Sequence, residues 1–404
     1  MRRQFVTLLG ARGTAGLAQA AVLVLVARWM HVADYGALMG WAGALLVAAT
    51  VADLGVSGYV LVQLPKGHLG TVRRALRLNT ITSIAGGVVF AGLGALIAPS
   101  ELKGAFAILA VAAFLEKNTE TLTYVRIAQG DKVIPALSIL LRRLLNLALT
   151  PLLYFVFGVD AAVAYALGYA IACAIAQVHA RRPVHRSIPA GPLEDTWAVL
   201  RHSLRIMVEL AAGGARTLDT AVVGWVAGGA AAGAYAAGTR LANPFVLIAG
   251  TLSNVLMPHV SLADHAASRR IARRLALATV ALGAVMFPVA YLVSPLLPIL
   301  LGEGYEESQA VFAWALPAIF FVGMSTAFAG YLQALGRSGF VAIAAGVNAP
   351  VLLGAVALGA SMGGAAGAAI GLCASSMVYV VVLGARSLVA TRASDAEGSP
   401  AILG

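Results

Sequence analysis

Residues 216–243 read RTLDTAVVGWVAGGAAAGAYAAGTRLAN, a run of Ala, Val and Gly apolar enough to enter a bilayer, yet it carries Arg216, Asp219 and Arg240. Its setting decides how it is read. The chain has 404 residues, of which 60% are hydrophobic and 11% charged, and its mean hydropathy is +0.88. A soluble domain carries about 25% charged residues. A spanning helix needs about 20 mostly apolar residues, and such windows recur along the whole chain with only short polar interruptions. The sequence is that of an all-α integral membrane protein. The opening stretch is then two spans joined by a turn near 227–233, with charges buried in both.

Apolar windows and the Gly, Pro and charge punctuation between them predict twelve transmembrane helices, at 5–27, 35–63, 76–98, 104–127, 134–157, 160–179, 201–225, 232–257, 271–300, 309–333, 338–359 and 364–388. The N-terminus, with a basic start and an apolar run, superficially resembles a signal peptide. Arg12 and Gln19 interrupt the run, and it reads as the first span. With both termini cytoplasmic, the cytoplasmic loops hold Lys66, Arg73, Arg74, Arg77, Lys132, Arg181, Arg182, Arg186 and the cluster Arg269–Arg274, while the outer loops hold only Arg28 and Lys103. That asymmetry is the positive-inside pattern, and a miscounted span would scramble it. The longest polar segment, HARRPVHRSIPAGPLEDTW from His179, lies near the chain midpoint. It predicts an N-terminal six-helix lobe (1–179), a cytoplasmic linker (180–200), a C-terminal six-helix lobe (201–390) and a short cytoplasmic tail (391–404), arranged as a parallel repeat of the kind secondary transporters use around a central cavity.

Several functions are disfavoured. The net charge of +11 follows from topology, so no nucleic-acid partner is expected. Cys173 and Cys373 fall inside apolar segments without metal-ligand company. No Gly-Lys pair exists, hence no phosphate loop, and no H-E-x-x-H is present. Neither a metal nor another cofactor is implied. The outer loops are too short to display the carboxylate clusters of glycan-transferring membrane enzymes, and no pore-lining charge ring repeats. Enzyme and channel both lose to a cavity.

That cavity is predicted from charges inside the spans: Arg12, Lys117, Arg126, Arg142, Arg143, Arg216 and Arg240 against Asp53, Glu116, Glu120, Glu209 and Asp219. Each costs roughly 2.5 to 3.5 kcal/mol near a helix centre unless it faces the bundle interior or water. At about 100° per residue, Glu209 and Arg216 share a face, and Arg216 and Asp219 at i and i+3 can pair. In the fourth span Glu116, Lys117, Thr119, Glu120, Thr123 and Tyr124 fall in one polar arc, predicted to turn inward, with Phe114, Leu115, Leu122 and Val125 outside it. Lys117, Arg142, Arg143, Arg216 and Arg240 are the candidate substrate-binding cations, because guanidinium binds phosphate or carboxylate through forked, charge-assisted bonds. Glu116, Glu120, Glu209 and Asp219 are the candidates for ion coupling or charge balance. Alternatives remain open: Arg126, Arg142 and Arg143 can snorkel to the surface, Arg216 with Asp219 can be structural, and Asp53 can be a helix-end contact. Prolines in the eighth to eleventh spans, among them Pro244, Pro258, Pro288 and Pro317, allow bending.

The first hairpin, ARWMHVADYGALMGW followed by VADLGVSGYVLVQLP, then LDTAVVGW, GAYAAGTRLANP and LMPHVS, then GEGYEESQAVFAWALPAIFF, YLQALGRSGF and MGGAAGAAIG, resembles in order and spacing the polysaccharide transporter branch of the multidrug/oligosaccharidyl-lipid/polysaccharide exporter superfamily. The resemblance covers nearly the whole chain. It implies a MATE-like fold and a flippase that moves an undecaprenyl-pyrophosphate-linked oligosaccharide across the bacterial inner membrane by alternating access, with ion coupling in some relatives and with polysaccharide polymerase or assembly proteins as partners beside membrane lipids. Two readings compete. A multidrug extruder of the same fold should have an acidic cavity, and a non-transporting scaffold of a polysaccharide assembly complex is separated only by assay. A major-facilitator transporter is disfavoured because KGHLGTVRRALRL lacks that family's Asp between the second and third spans.

Overall fold

The computed structural model describes residues 2–131, 133–188, 195–243, 265–335 and 337–396. Among them there is no strand, and every predicted span that falls on them is helical. In chain order the helices are α1 (Arg2–Trp29), α2 (Val32–Ala52), α3 (Val56–Gln63), α4 (Leu69–Ile97), α5 (Lys103–Ala128), α6 (Val133–Phe155), α7 (Ala161–Ser187), α8 (Thr196–Gly214), α9 (Asp219–Ala227), α10 (Gly229–Ala242), α11 (His265–Val293), α12 (Leu296–Leu301), α13 (Glu307–Ala334) and α14 (Ser338–Ala396). Among the described residues, seven helical segments are individually long and apolar enough to cross a membrane. The chain is a multi-pass membrane protein. Pro244 and Pro258, the LMPHVS motif and the end of the eighth span lie outside the described residues.

The second span is two helices. Leu54 at φ +54° and Gly55 at φ +73° break it after Asp53. Such a conformation costs a non-glycine residue strain, and the Asp53 carboxylate stabilises the restart by accepting from Ser57 N–H at 3.2 Å and Ser57 Oγ at 2.8 Å. The seventh span is also interrupted, by a 3₁₀ turn at Ala215–Leu218. The eleventh and twelfth spans are the two limbs of α14, which breaks at Gly363 and Gly364. Helix α7 runs on to Ser187, into the stretch expected to be linker.

The structure divides into two compact units: residues 1–237 with 300–305, and residues 238–299 with 306–404. In the first, α5 is the central helix. It packs against α4 and α7, and also touches α2, α3 and α6. The polar arc of α5 meets neighbouring helices, Glu116 against α6 and Thr119 against Gln177 of α7. Phe114, Leu122 and Val125 are buried, while Glu116, Lys117 and Glu120 are only half-buried. Phe114 lies against Gly86 of α4, Leu122 and Val125 share a core with α3, and Thr119 and Thr123 of the polar arc are buried as well. A core of Val56, Tyr59 and Val60 against Val72, Ala75, Leu122, Val125, Val184 and Val199 ties α3, α4, α5, α7 and α8 together.

Helix α2 meets the 3₁₀ turn, α9 and the start of α10 along a glycine stripe. A side chain at Gly36 would run into the Gly229 carbonyl and one at Gly43 into the Thr217 carbonyl, a Cβ at Gly40 would lie 3.4 Å from Ala221 Cα, and on α3 a side chain at Gly58 would run into Ile206. Small residues at this spacing let membrane helices approach backbone to backbone. Thr217 Oγ1 donates to Gly43 O across the seam at 3.3 Å.

In the second unit, α13 packs on α14 and α11 on both. The limbs of α14 cross where Gly359 meets Gly367 and Gly371 meets Ala355.

Candidate functional site

The site is built from α5 and α6. Arg142 Nη1 and Arg143 Nη2 each lie 2.8 Å from the same atom, Glu116 Oε1. Adjacent residues on a helix diverge by about 100°, so two guanidiniums reach one oxygen only because α5 supplies the acceptor from the facing helix. Arg142 is buried and also donates from Nε to Ser138 O at 3.3 Å. Arg143 donates to Tyr169 Oη at 3.2 Å, with its guanidinium 5.4 Å from that ring's centre. The ring adds a cation–π contact. One carboxylate faces two cations, and the cluster carries a net positive charge.

Lys117, one residue on, is 3.0 Å from Glu120 in an i, i+3 pair whose acid is 41% exposed. Arg126 is not a free surface arginine: it clamps Asp131 across the turn from α5 to α6, at 2.7 Å from Nη2 and 3.1 Å from Nε. Burial alone pushes the Asp131 carboxyl up, but the Arg126 side-chain hydrogen bonds and the Val133 and Ile134 N–H groups outweigh it and hold the group below its ordinary 3.8.

Arg216 is half-buried on the 3₁₀ turn. Asp219, expected beside it on a continuous helix, opens α9 instead. Its carboxylate accepts Thr220 N–H at 2.6 Å and Tyr235 Oη at 3.0 Å. Arg240 is half-buried in the last turn of α10 and belongs to the second unit. The side chains of Arg12 and Glu209 lie outside the described residues.

Sequence reasoning missed a buried chain of amides. Asp53, fully buried, accepts from Asn79 Nδ2 and Thr121 Oγ1, both at 2.7 Å, besides Ser57. Asn118 donates to Asn79, Gln177 donates to Asn118, and Thr119 donates to Gln177. The chain links α2, α4, α5 and α7. Its sequence signal was present: Asn79, Asn118 and Gln177 are amides within apolar spans, where each must find a partner.

The model of a family described as polysaccharide biosynthesis protein matches residues 25–310. No curated protein matches the chain in sequence. Solved structures match over nearly the full length. An inward-facing multidrug resistance MATE family transporter of the MOP superfamily is 14% identical, with 97% of this chain and 96% of that one covered and a TM-score of 0.69. A MOP superfamily transporter from Pyrococcus furiosus, described as having a binding pocket of reverse polarity, is 14% identical with the same coverage and a TM-score of 0.67. The bent form of a Vibrio cholerae MATE transporter is 15% identical, with 98% of each chain covered and a TM-score of 0.58. At these identities the likeness carries the fold. With the match over most of its length, on helices that build this fold, the chain belongs to the polysaccharide biosynthesis protein family.

Proposed function

We propose that the protein is a flippase that translocates a lipid-linked oligosaccharide, with undecaprenyl pyrophosphate as carrier, across the bacterial inner membrane by alternating access of two six-helix lobes, with both termini cytoplasmic. The observation that carries the reading is the cluster on α5 and α6: two arginines on one glutamate within membrane-spanning helices. In a low-dielectric site a surplus guanidinium attracts pyrophosphate or an acidic sugar far more strongly than it would in water. Lys117, Arg143, Arg216 and Arg240 are assigned to the anionic part of the substrate, with Arg142 held by Glu116. Glu116, Glu120, Glu209 and Asp219 balance charge or couple an ion. Family membership supports polysaccharide biosynthesis as the setting, in which polymerase and assembly proteins are the expected partners. The reverse-polarity description of the Pyrococcus furiosus transporter supports the idea that this fold accepts pockets of either sign.

The test is transfer of fluorescent undecaprenyl-pyrophosphate-linked oligosaccharide in proteoliposomes. Wild type is expected to move label between leaflets, and Arg143→Gln and Arg240→Gln to slow it at least tenfold while remaining folded. Wild-type vesicles that move no labelled lipid but extrude cationic dyes would replace this reading with the multidrug exporter.

A further inference from the structure

A groove on the first unit lies outside the cluster just described. Helices α4 and α7 both pack on α5, and a cavity of about 340 Å³ opens among the three, lined by Arg73, Arg77, Asn118, Gln177, Arg181 and His185 with apolar neighbours. A second cavity of about 320 Å³ continues it, sharing Thr80, Asn118, Gln177 and Arg181. Its further walls are Ile84, Gly87, Val88, Val111, Phe114 and Leu115. No carboxylate lines either part.

The chemistry changes in register along all three helices. On α4 one stripe runs Arg73, Arg77, Thr80, Ile84, Val88, at spacings of three and four. On α7 Arg181 and His185 stand one turn apart beyond Gln177, with Arg181 Nε 3.3 Å from His185 Nε2. On the floor, α5 passes from Asn118 to Phe114 and Val111. Gly86 and Gly87 let that floor lie close, since a side chain at Gly86 would run into the Phe114 ring. The groove thus has a cationic head, a neck of amides and a hydroxyl, and an apolar tail. From Arg77 to Val88 the helix rises roughly 16 Å, which matches the half-thickness of a hydrocarbon core of about 30 Å. Ile84 and Val88 are more than 60% exposed, so the tail of the groove opens sideways from the helices.

We propose that this groove binds a membrane phospholipid with an anionic phosphate headgroup, the phosphate on Arg77 and Arg181 and one acyl chain along Ile84, Val88 and Val111. Charge complementarity selects the head, because basic pockets between membrane helices hold anionic headgroups. The one-leaflet length selects a tethered lipid over a free anion. The site is separate from the Glu116 cluster and does not depend on what the protein transports.

The experiment is native mass spectrometry of the purified full-length protein titrated with phosphatidylglycerol, alongside phosphatidylcholine, inorganic phosphate and undecaprenyl pyrophosphate. Wild type is expected to retain phosphatidylglycerol and not phosphatidylcholine. Arg77→Gln with Arg181→Gln, both exposed positions, should weaken retention about twenty-five-fold, at about a factor of five per basic residue. Val88→Trp, which keeps every arginine and obstructs the tail, should weaken it as well. Arg182→Gln with Arg186→Gln, on the same helix but outside the groove, should not. Equal loss in that control pair, equal retention of phosphatidylcholine, or displacement by inorganic phosphate at equal concentration would each overturn the proposal. Displacement by undecaprenyl pyrophosphate at a lower concentration would overturn it in favour of the transported molecule's carrier.

Discussion

Glu116 Oε1 stands 2.8 Å from Arg142 Nη1 and bridges α5 to α6 while holding a second guanidinium. Removing the acid leaves two cations in a membrane-embedded cluster; removing Arg143 leaves a balanced pair. Breaking a buried pair from one side costs about 3 kcal/mol or more. Glu116→Gln is therefore expected to lower the thermal midpoint in detergent by far more than Arg143→Gln does. Equal midpoints would show that Glu116 is not the keystone of this cluster.

Asp53 gathers four hydrogen bonds in a site closed to solvent. An asparagine there presents one acceptor oxygen and two unwanted donors, so Asp53→Asn is expected to cost about 2 to 4 kcal/mol and Thr121→Val about 1. Because both act on one carboxylate, the double variant should lose less than the sum of the two. Additive losses in chemical unfolding would contradict a shared network.

The glycine seam makes a sharper contrast. Gly43→Ala places a methyl group against the Thr217 carbonyl, whereas Gly92→Ala meets nothing within 4 Å. Overpacking costs about 1 to 3 kcal/mol. The first variant should lower the melting midpoint and the second should leave it unchanged. A neutral Gly43→Ala would mean that α2 and the 3₁₀ turn separate without penalty.

The clamp at the turn between α5 and α6 titrates. The folded-state pKa of Asp131 lies below its ordinary 3.8, so its stabilisation is complete above that value and fades as the pH falls through the folded pKa. Asp131→Asn is expected to shorten hydrogen-exchange protection at Val133 and Ile134 at pH 7, and to make little difference at pH 2. The same difference at both pH values would rule out the carboxylate as the source.

The spans were legible because a bilayer imposes one dominant rule, length of apolar run, and the strong ones such as α4 and α13 follow it. Breaks within spans were not. Nothing in TVADLGVSGY separates a continuous helix from one broken at Leu54 and Gly55, since Gly occurs freely in membrane helices. The sequence placed Arg216 and Asp219 on one continuous helix, whereas Arg216 stands on a 3₁₀ turn. The 3₁₀ turn makes Asp219 a helix-opening residue, whose carboxylate is used by Thr220 and Tyr235. Glu116, Arg142 and Arg143 were picked out as ionisable residues in apolar surroundings, but spacing within one helix could not join them. Their meeting depends on the facing of α5 and α6, which is tertiary information.

The break at Gly363 and Gly364 has a consequence for how the chain is made. The limbs of α14 meet with no intervening loop, and Gly359, Gly367 and Gly371 set them backbone to backbone. A pair joined in this way has no hydrophilic segment between its limbs. The eleventh and twelfth spans can therefore enter the bilayer as one hairpin, and an epitope tag inserted at position 363 would force its limbs apart.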